Sequence, residues 1–442
     1  MDNSRYHKNR SSGIKLDSIA CACLGFLLIF VQPGGGKYFK DLLIPLLGDY
    51  RLSLFEAFLL PIIYIGVFSL ALQGIRIKKY EKLFWVSVIL VIFSRILSLL
   101  AAEYYQMEQW LSLCRYVMGL LVIFIFANLF SDFVNRRYFI LGLIIGSLIE
   151  LIGGLFIFLS TGGNERGILI CASSYILSVF LILMCLFGIK NNKKYKGILY
   201  IFLLFLFLGI ISTGTRTGLI LLVTALLAVG LYSGIRILKP MLFYITIFIL
   251  MIGLIIPSLT STVLERFRVM HKMGGSIQYR FYLWDKAIAS FLQHPVTGIG
   301  SGGFSRQFPD LSVFQVRLTG KLNTKRYIEQ RHSPHHTLLA IASETGIVGL
   351  IAYFFLVISI ISICRRSLSL CKIKSRENTT IIAASLLIIG LIASELLGGP
   401  GIYFGPISNT FIGFLLGWLR ENNNKVYCHI TKNDQIMSYL PK

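Results

Sequence analysis

LFWVSVILVIFSRILSLLA, residues 83–101, is apolar or small throughout except for one charged side chain, Arg95. About 18 or more such residues in a row are what a helix needs to cross ~30 Å of hydrocarbon. Similar runs recur near 16–32, 53–73, 109–130, 138–159, 168–188, 197–211, 219–235, 240–257, 338–363, 378–398 and 406–419, making twelve predicted spans. The first run follows a basic segment and could pass for the apolar core of a signal peptide. Eleven further spans make it at least as well a retained helix. No Pro- or Gly-rich linker and no internal repeat stands out.

Composition agrees with this reading. Of 442 residues, 55% are hydrophobic and 14% charged, and the mean hydropathy is +0.73. A soluble domain carries about 25% charged residues. Soluble enzymes, disordered chains and nucleic-acid binders are therefore excluded. A transmembrane β-barrel is excluded too, because it would show ~10-residue alternation in place of continuous apolar runs. The expected fold class is an all-α polytopic membrane protein with about twelve transmembrane helices.

The net charge of +23 is informative through its placement. Lys and Arg number 25 in the connections 1–15, 74–82, 131–137, 189–196, 236–239, 364–377 and 420–442, against 5 in the short connections opposite. Cytoplasmic connections are the basic ones, so both termini are expected in the cytoplasm. The chain then divides into spans one to nine (1–257), an outer loop (258–337), spans ten to twelve (338–420) and a cytoplasmic tail (421–442). The eight cysteines fall in spans or cytoplasmic segments, which argues against a disulfide framework. The Cys21-x-Cys23 pair reads as helix packing more readily than as a metal site.

The outer loop of about 80 residues is long enough to carry function. It starts Glu265-Arg266-Phe267-Arg268, and then Ile277, Phe281, Trp284, Ile288 and Phe291 recur at helical spacing along one face. Arg280 falls on the edge of that face. There it is either a snorkelling arginine of an interfacial helix or a group held at the depth of a lipid phosphate. His294-Pro295 ends the predicted helix, and Gly298-Ile299-Gly300-Ser301-Gly302-Gly303 follows. Such glycine density supplies positive φ and close backbone approach to a ligand, or simply a tight turn. It is no dinucleotide fingerprint, since no βαβ unit surrounds it.

The loop closes with Arg331-His332-Ser333-Pro334-His335-His336-Thr337. Ser333 suits an N-cap and Pro334 a first helical position, which places His335 in the first turn of span ten. The positive end of a helix dipole disfavours imidazolium, so His335 is expected neutral and able to accept a proton. A capping role, or a metal site with His332 and His336, is the alternative. A second outer connection, Ser212-Thr213-Gly214-Thr215-Arg216-Thr217-Gly218, presents one arginine among hydroxyls and glycines. That set suits an anionic oxygen cluster, or an arginine that merely marks the interface. Arg95, Arg115, Glu150, Glu344 and Glu395 lie within spans, are costly in lipid, and read as structural pairs.

Together these segments resemble the O-antigen ligase/polymerase family of bacterial surface-glycan enzymes. The family's histidine segment is Pro-His-Asn, nine residues, then Gly-x-x-Gly. Here Pro334-His335-His336 is followed by nine residues and Gly346-Ile347-Val348-Gly349, with His336 departing from the usual Asn, Ser or Gln. Arg216 matches an arginine in a Ser/Thr/Gly-rich outer connection. Arg280, Trp284 and Pro295 to Gly300 match an arginine ahead of a Trp and Pro-x-x-Gly-x-Gly. The resemblance implies transfer of a glycan from an undecaprenyl-diphosphate carrier to a sugar hydroxyl at the outer face of the inner membrane. The acceptor is lipid A-core for a ligase and a second lipid-linked repeat unit for a polymerase. His335 is then the base. Arg216 and Arg280, with Thr215, Thr217 and Gly300, bind the diphosphate. With no Asp-x-Asp and no clustered outer carboxylates, no divalent metal or other cofactor is expected. Partners are the lipid-linked donor, the glycan acceptor and membrane lipid, and no nucleic acid. The competing class is a twelve-span transporter or flippase of lipid-linked glycans, which would show repeats and midplane polar sites.

Overall fold

A computed structural model describes residues 16–28, 43–47, 50–53, 61–65, 67, 77–102, 107–161, 174–191, 194, 196–213, 216–233, 246, 274–304, 334, 336–371, 378–396 and 406–437. The helices are α1 (Leu16–Leu27), α2 (Lys82–Leu100, entered through a 3-10 turn Lys79–Glu81), α3 (Met107–Leu129), α4 (Phe133–Ser160) and α5 (Ser174–Asn191). They continue with α6 (Lys196–Thr213), α7 (Arg216–Ser233), α8 (Gly274–Gln293), α9 (Thr337–Leu370), α10 (Asn378–Leu396) and α11 (Pro406–Met437). One element departs from the all-helical expectation. Strands β1 (Leu43–Leu47) and β2 (Tyr50–Ser53) pair antiparallel with Ile44 opposite Leu52 and a bulge near Pro45.

Among the described residues four helices are long and apolar enough to cross a membrane: Lys79–Leu100, Phe133–Ser160, Thr337–Leu370 and Asn378–Glu395. Shorter apolar helices cover Leu16–Leu27, Tyr116–Leu129, Tyr175–Gly188, Gly197–Ile210 and Gly218–Ser233. Predicted span two is described only at 53, 61–65 and 67, and span nine only at 246. The helix of span twelve runs on to Met437, well past the predicted end near 419.

Helix α2 shows what solvent the bundle is built for. Its buried face includes Ser87, Ser94, Arg95 and Ser98, while Leu83, Val86, Ile89, Leu90, Phe93 and Leu100 are exposed. A water-soluble helix would place these the other way round. Polar groups turn inward and apolar ones outward only where the surroundings are lipid. Helices approach closely through small residues, as membrane packing favours. A Cβ at Gly25 of α1 or at Gly142 of α4 would overlap the backbone of the facing helix. Between α3, α4, α5 and α11 lies an aromatic core of Phe126, Phe130, Phe139, Phe180, Phe411 and Phe414. In α1, Cys21 is buried and Cys23 exposed, so the two thiols do not share an environment.

Segments that the charge count assigns to one side meet each other. Glu81, ahead of α2, accepts from Arg420 of α11 at 2.7 and 2.6 Å. Arg136, in the first turn of α4, pairs with Glu421. Arg366, near the end of α9, lies 4.7 Å over the Tyr80 ring. The sequence shows each of these charges but not its partner.

Candidate functional site

At the opposite end of α2 the structure assembles α8, the glycine-rich segment and the start of α9. Helix α8 ends at Gln293, beside the predicted stop at His294-Pro295. Its inward face is not the apolar stripe read in the sequence. Leu283, Ala287 and Ser290 are buried, the first two packing with Phe304, Tyr282, Ile299 and Leu339, whereas Phe281 and Ile288 stay exposed. Of the apolar stripe, Phe281 and Ile288 thus face outward and Trp284 and Phe291 are half-buried, while the contact with α9 uses the neighbouring face. The small side chains of Ala287 and Ser290 let the helix approach closely.

Glycines at 298, 300 and 302 take φ of 69°, 98° and 76°, as glycine density predicts. The close approach they permit is to α9. Gly346 also has positive φ and breaks the helix there. An intact helix would bond the Ile347 and Val348 N–H groups to carbonyls four residues back. Here they donate instead to the carbonyls of Pro295 at 2.8 Å and Val296 at 3.4 Å. In return, Ile299 N–H donates to Ser343 O at 2.9 Å and Gly300 N–H to Glu344 O at 3.1 Å. A Cβ at Gly298 would overlap the Glu344 carbonyl, and one at Gly346 the Val296 carbonyl. Pro-x-x-Gly-x-Gly and Gly-x-x-Gly, read separately in the sequence, are the two halves of one main-chain clamp.

Gly300 is buried, its N–H is engaged by Glu344, and a Cβ there would lie 2.8 Å from the Cβ of Ala102. Its amide is therefore committed to the clamp. The clamp is supported from beneath by side chains of α2. Arg95 donates to Ser301 Oγ at 2.6 Å, and Ser98 donates to the Glu344 carbonyl.

The start of α9 corrects the expected capping. Ser333 was expected to cap and Pro334 to open the helix, but the N-cap is His336 (φ −146°, ψ 116°) and the helix begins at Thr337. The cause is visible at Pro334. Its carbonyl accepts from Trp284 Nε1 at 2.9 Å, and the Trp284 ring meets His336 edge-on at 5.6 Å. These contacts engage Pro334 and His336 with α8 and delay the helix to Thr337. The dipole argument for a neutral His335 therefore falls away, because position 335 precedes the cap. Burial instead acts on His336, pushing its imidazole below the ordinary value of 6.5, and its Nδ1 is buried without a hydrogen-bond partner.

His335, His332 and Thr215 lie outside the described residues. Arg216 is the first residue of α7, with Thr217 next to it, and α7 packs on α10 and α5. Arg280 lies in α8, one turn before Trp284. The Trp284–Pro334 bond thus ties the helix of Arg280 to the residue preceding His335. Sequence reading missed the clamp and the Trp284 contact. The one local signal for them was a glycine, Gly346, inside an otherwise helical apolar run.

Residues 201–354 match the family model described as O-antigen ligase. The matched stretch takes in Arg216, Arg280, the glycine segment, the histidine segment and the bend at Gly346. The match supports, over about a third of the chain, the resemblance to the O-antigen ligase and polymerase family read from the sequence. No curated protein matches the chain.

Proposed function

We propose, from a chain whose residues 201–354 match the family model described as O-antigen ligase, that it transfers a glycan from undecaprenyl diphosphate to a sugar hydroxyl of lipid A-core. The reaction takes place at the periplasmic face of the bacterial inner membrane. The observation that carries this reading is the Trp284 Nε1 to Pro334 bond of 2.9 Å, with the main-chain clamp beside it. Together they tie the helix of a cationic residue to the segment of a proton acceptor, and the chemistry needs both.

The bond between the anomeric carbon and the diphosphate oxygen breaks as a new bond forms to the acceptor oxygen. His335 takes the acceptor's proton, and the departing diphosphate carries the negative charge. Arg216 and Arg280 stabilise that charge as it develops, a role in which preorganised cations act strongly in a water-poor site. Hydroxyls of Thr215 and Thr217 add donors. Direct displacement inverts the anomeric configuration. Both termini lie in the cytoplasm in this reading. The meeting of 74–82, 131–137 and 420–421 at one end of the bundle, away from the clamp, supports that topology.

The deciding experiment is the glycolipid profile of a strain lacking the gene. Full-length polymer accumulating on the carrier lipid is the expected result. Core capped with a single repeat unit would make the enzyme a polymerase. Lipid-linked glycan trapped in the inner leaflet would make it a flippase.

A further inference from the structure

Arg95 is a charge in the middle of an apolar span, and such charges persist where they have a partner or a function. It is 4% exposed. Its guanidinium lies 4.1 Å over the Tyr116 ring of α3, and its Nη1 donates to Ser301 Oγ at 2.6 Å. One turn along the same helix, Ser98 donates to the Glu344 carbonyl. Ser301 is completely buried. The partners of Arg95 outside its own helix pair thus include the glycine segment, which grips the α9 turn. The clamp's outer side, at Pro295 and Val296, is exposed, so its firm attachment comes from below.

We propose that Arg95, acting through Ser301, is a positioning residue for the transfer reaction. It anchors residues 295–304 to the bend at Gly346. In doing so it sets the relative placement of α8, which carries Arg280, and the segment that carries His335. The proposal rests on the functional reading above. Four main-chain bonds define the geometry of the clamp, and Arg95 keeps them formed. A buried guanidinium that contacts Ser301 and stacks on an aromatic ring is well suited to this, because its planar fork is held in one orientation.

The test uses the full-length protein in lipid nanodiscs, with Arg95→Met, Arg95→Lys and Ser301→Ala. Two quantities are read: amide hydrogen exchange over 295–304 and 341–350, and transfer kinetics from an undecaprenyl-diphosphate-linked donor. In Arg95→Met, exchange at Ile299, Gly300, Ile347 and Val348 is expected to rise roughly 10–100-fold, as loss of a hydrogen bond to a charged group implies. The turnover rate kcat should fall by about 10²-fold, the scale of a misplaced reacting group, with the donor KM little changed because both diphosphate arginines remain. Arg95→Lys should recover part of the turnover. If Arg95→Met does not insert, Ser301→Ala should show the same pattern more weakly.

Unchanged exchange over both segments would overturn the anchoring role. Raised exchange with normal kcat per folded molecule would overturn the positioning role. A fall in kcat that merely follows a lower melting temperature would reduce Arg95 to a structural residue. Wild-type protein that transfers nothing, while exchange behaves as stated, would overturn the glycan-transfer reading and leave the clamp standing.

Discussion

Where α2 begins, Glu81 and Arg420 close the bundle through two side-chain hydrogen bonds of 2.7 and 2.6 Å. Where α2 ends, closure is made by main chain, with Pro295, Val296, Ile299 and Gly300 bonded to the bend in α9. The two ends share the same helices and differ in what they hold still. A side-chain pair fixes the tips of two long groups and leaves the backbone some latitude. A backbone clamp fixes the chain itself, and with it every residue of the adjoining segments. A reaction that needs a base and two cations held to within about 0.5 Å calls for the second kind of closure. The first kind serves stability. Substitutions at the clamp end should therefore change turnover per molecule, and those at the paired end should change how much folded protein there is.

The largest effect is expected from His335→Ala. Loss of a positioned base costs about 10²–10⁴-fold in rate, at normal abundance in the membrane. His332→Ala and His336→Ala should retain measurable transfer. A dead His332→Ala beside an active His335→Ala would move the base to position 332. Next comes the clamp itself. Gly346→Ala and Gly298→Ala force a Cβ into a facing carbonyl at positive φ, and each should lower kcat by about 10²-fold. Normal turnover in both would break the comparison, since the clamp would then be only a joint.

Arg216→Lys and Arg280→Lys should each lose tenfold or more of the transfer rate. Lysine keeps the charge but not the fork that grips two oxygens, and removing one donor to a developing oxyanion costs up to about 10²–10³-fold. Near-normal product from both variants at equal protein levels would make them interfacial anchors.

At the paired end, Arg420→Leu leaves the buried Glu81 carboxylate without its guanidinium and should cost about 3–5 kcal/mol of stability. Thermal unfolding would show this, with transfer per folded molecule unchanged. The double variant Glu81→Leu/Arg420→Leu should recover much of the loss, because no lone charge is then buried. Lower kcat in the surviving Arg420→Leu molecules would mean that the two ends communicate.

The smallest effect concerns pH. Burial holds His336 below its unfolded value, so its protonation opposes folding. Its contribution to stability is present above the unfolded value and is lost as pH falls through the folded one. Between about pH 8 and about pH 5 the melting temperature should drop slightly more for wild type than for His336→Gln. Equal slopes would show that the ring is solvated.

The sequence alone determined the membrane environment, the position of most helices, the one-sided distribution of basic residues and the short list of reactive groups. These are local quantities: the length of an apolar run, a count of lysines and arginines, the type of a side chain. The stop of α8 at Gln293 belongs with them, because a His-Pro pair ends a helix from its own residues. Tertiary structure decided which face of α8 turns inward, where α9 begins, what Arg95 touches and which charges pair at the far end. The face that turned inward carries Leu283, Ala287 and Ser290, and its small residues fit against α9. The start of α9 was set by an indole fifty residues earlier in the chain, Trp284, that takes the Pro334 carbonyl. Glycine at 298 and at 346 announced conformational freedom. What used that freedom was a main-chain partner nearly fifty residues away, and a hydrogen bond between distant backbones leaves no trace in local composition.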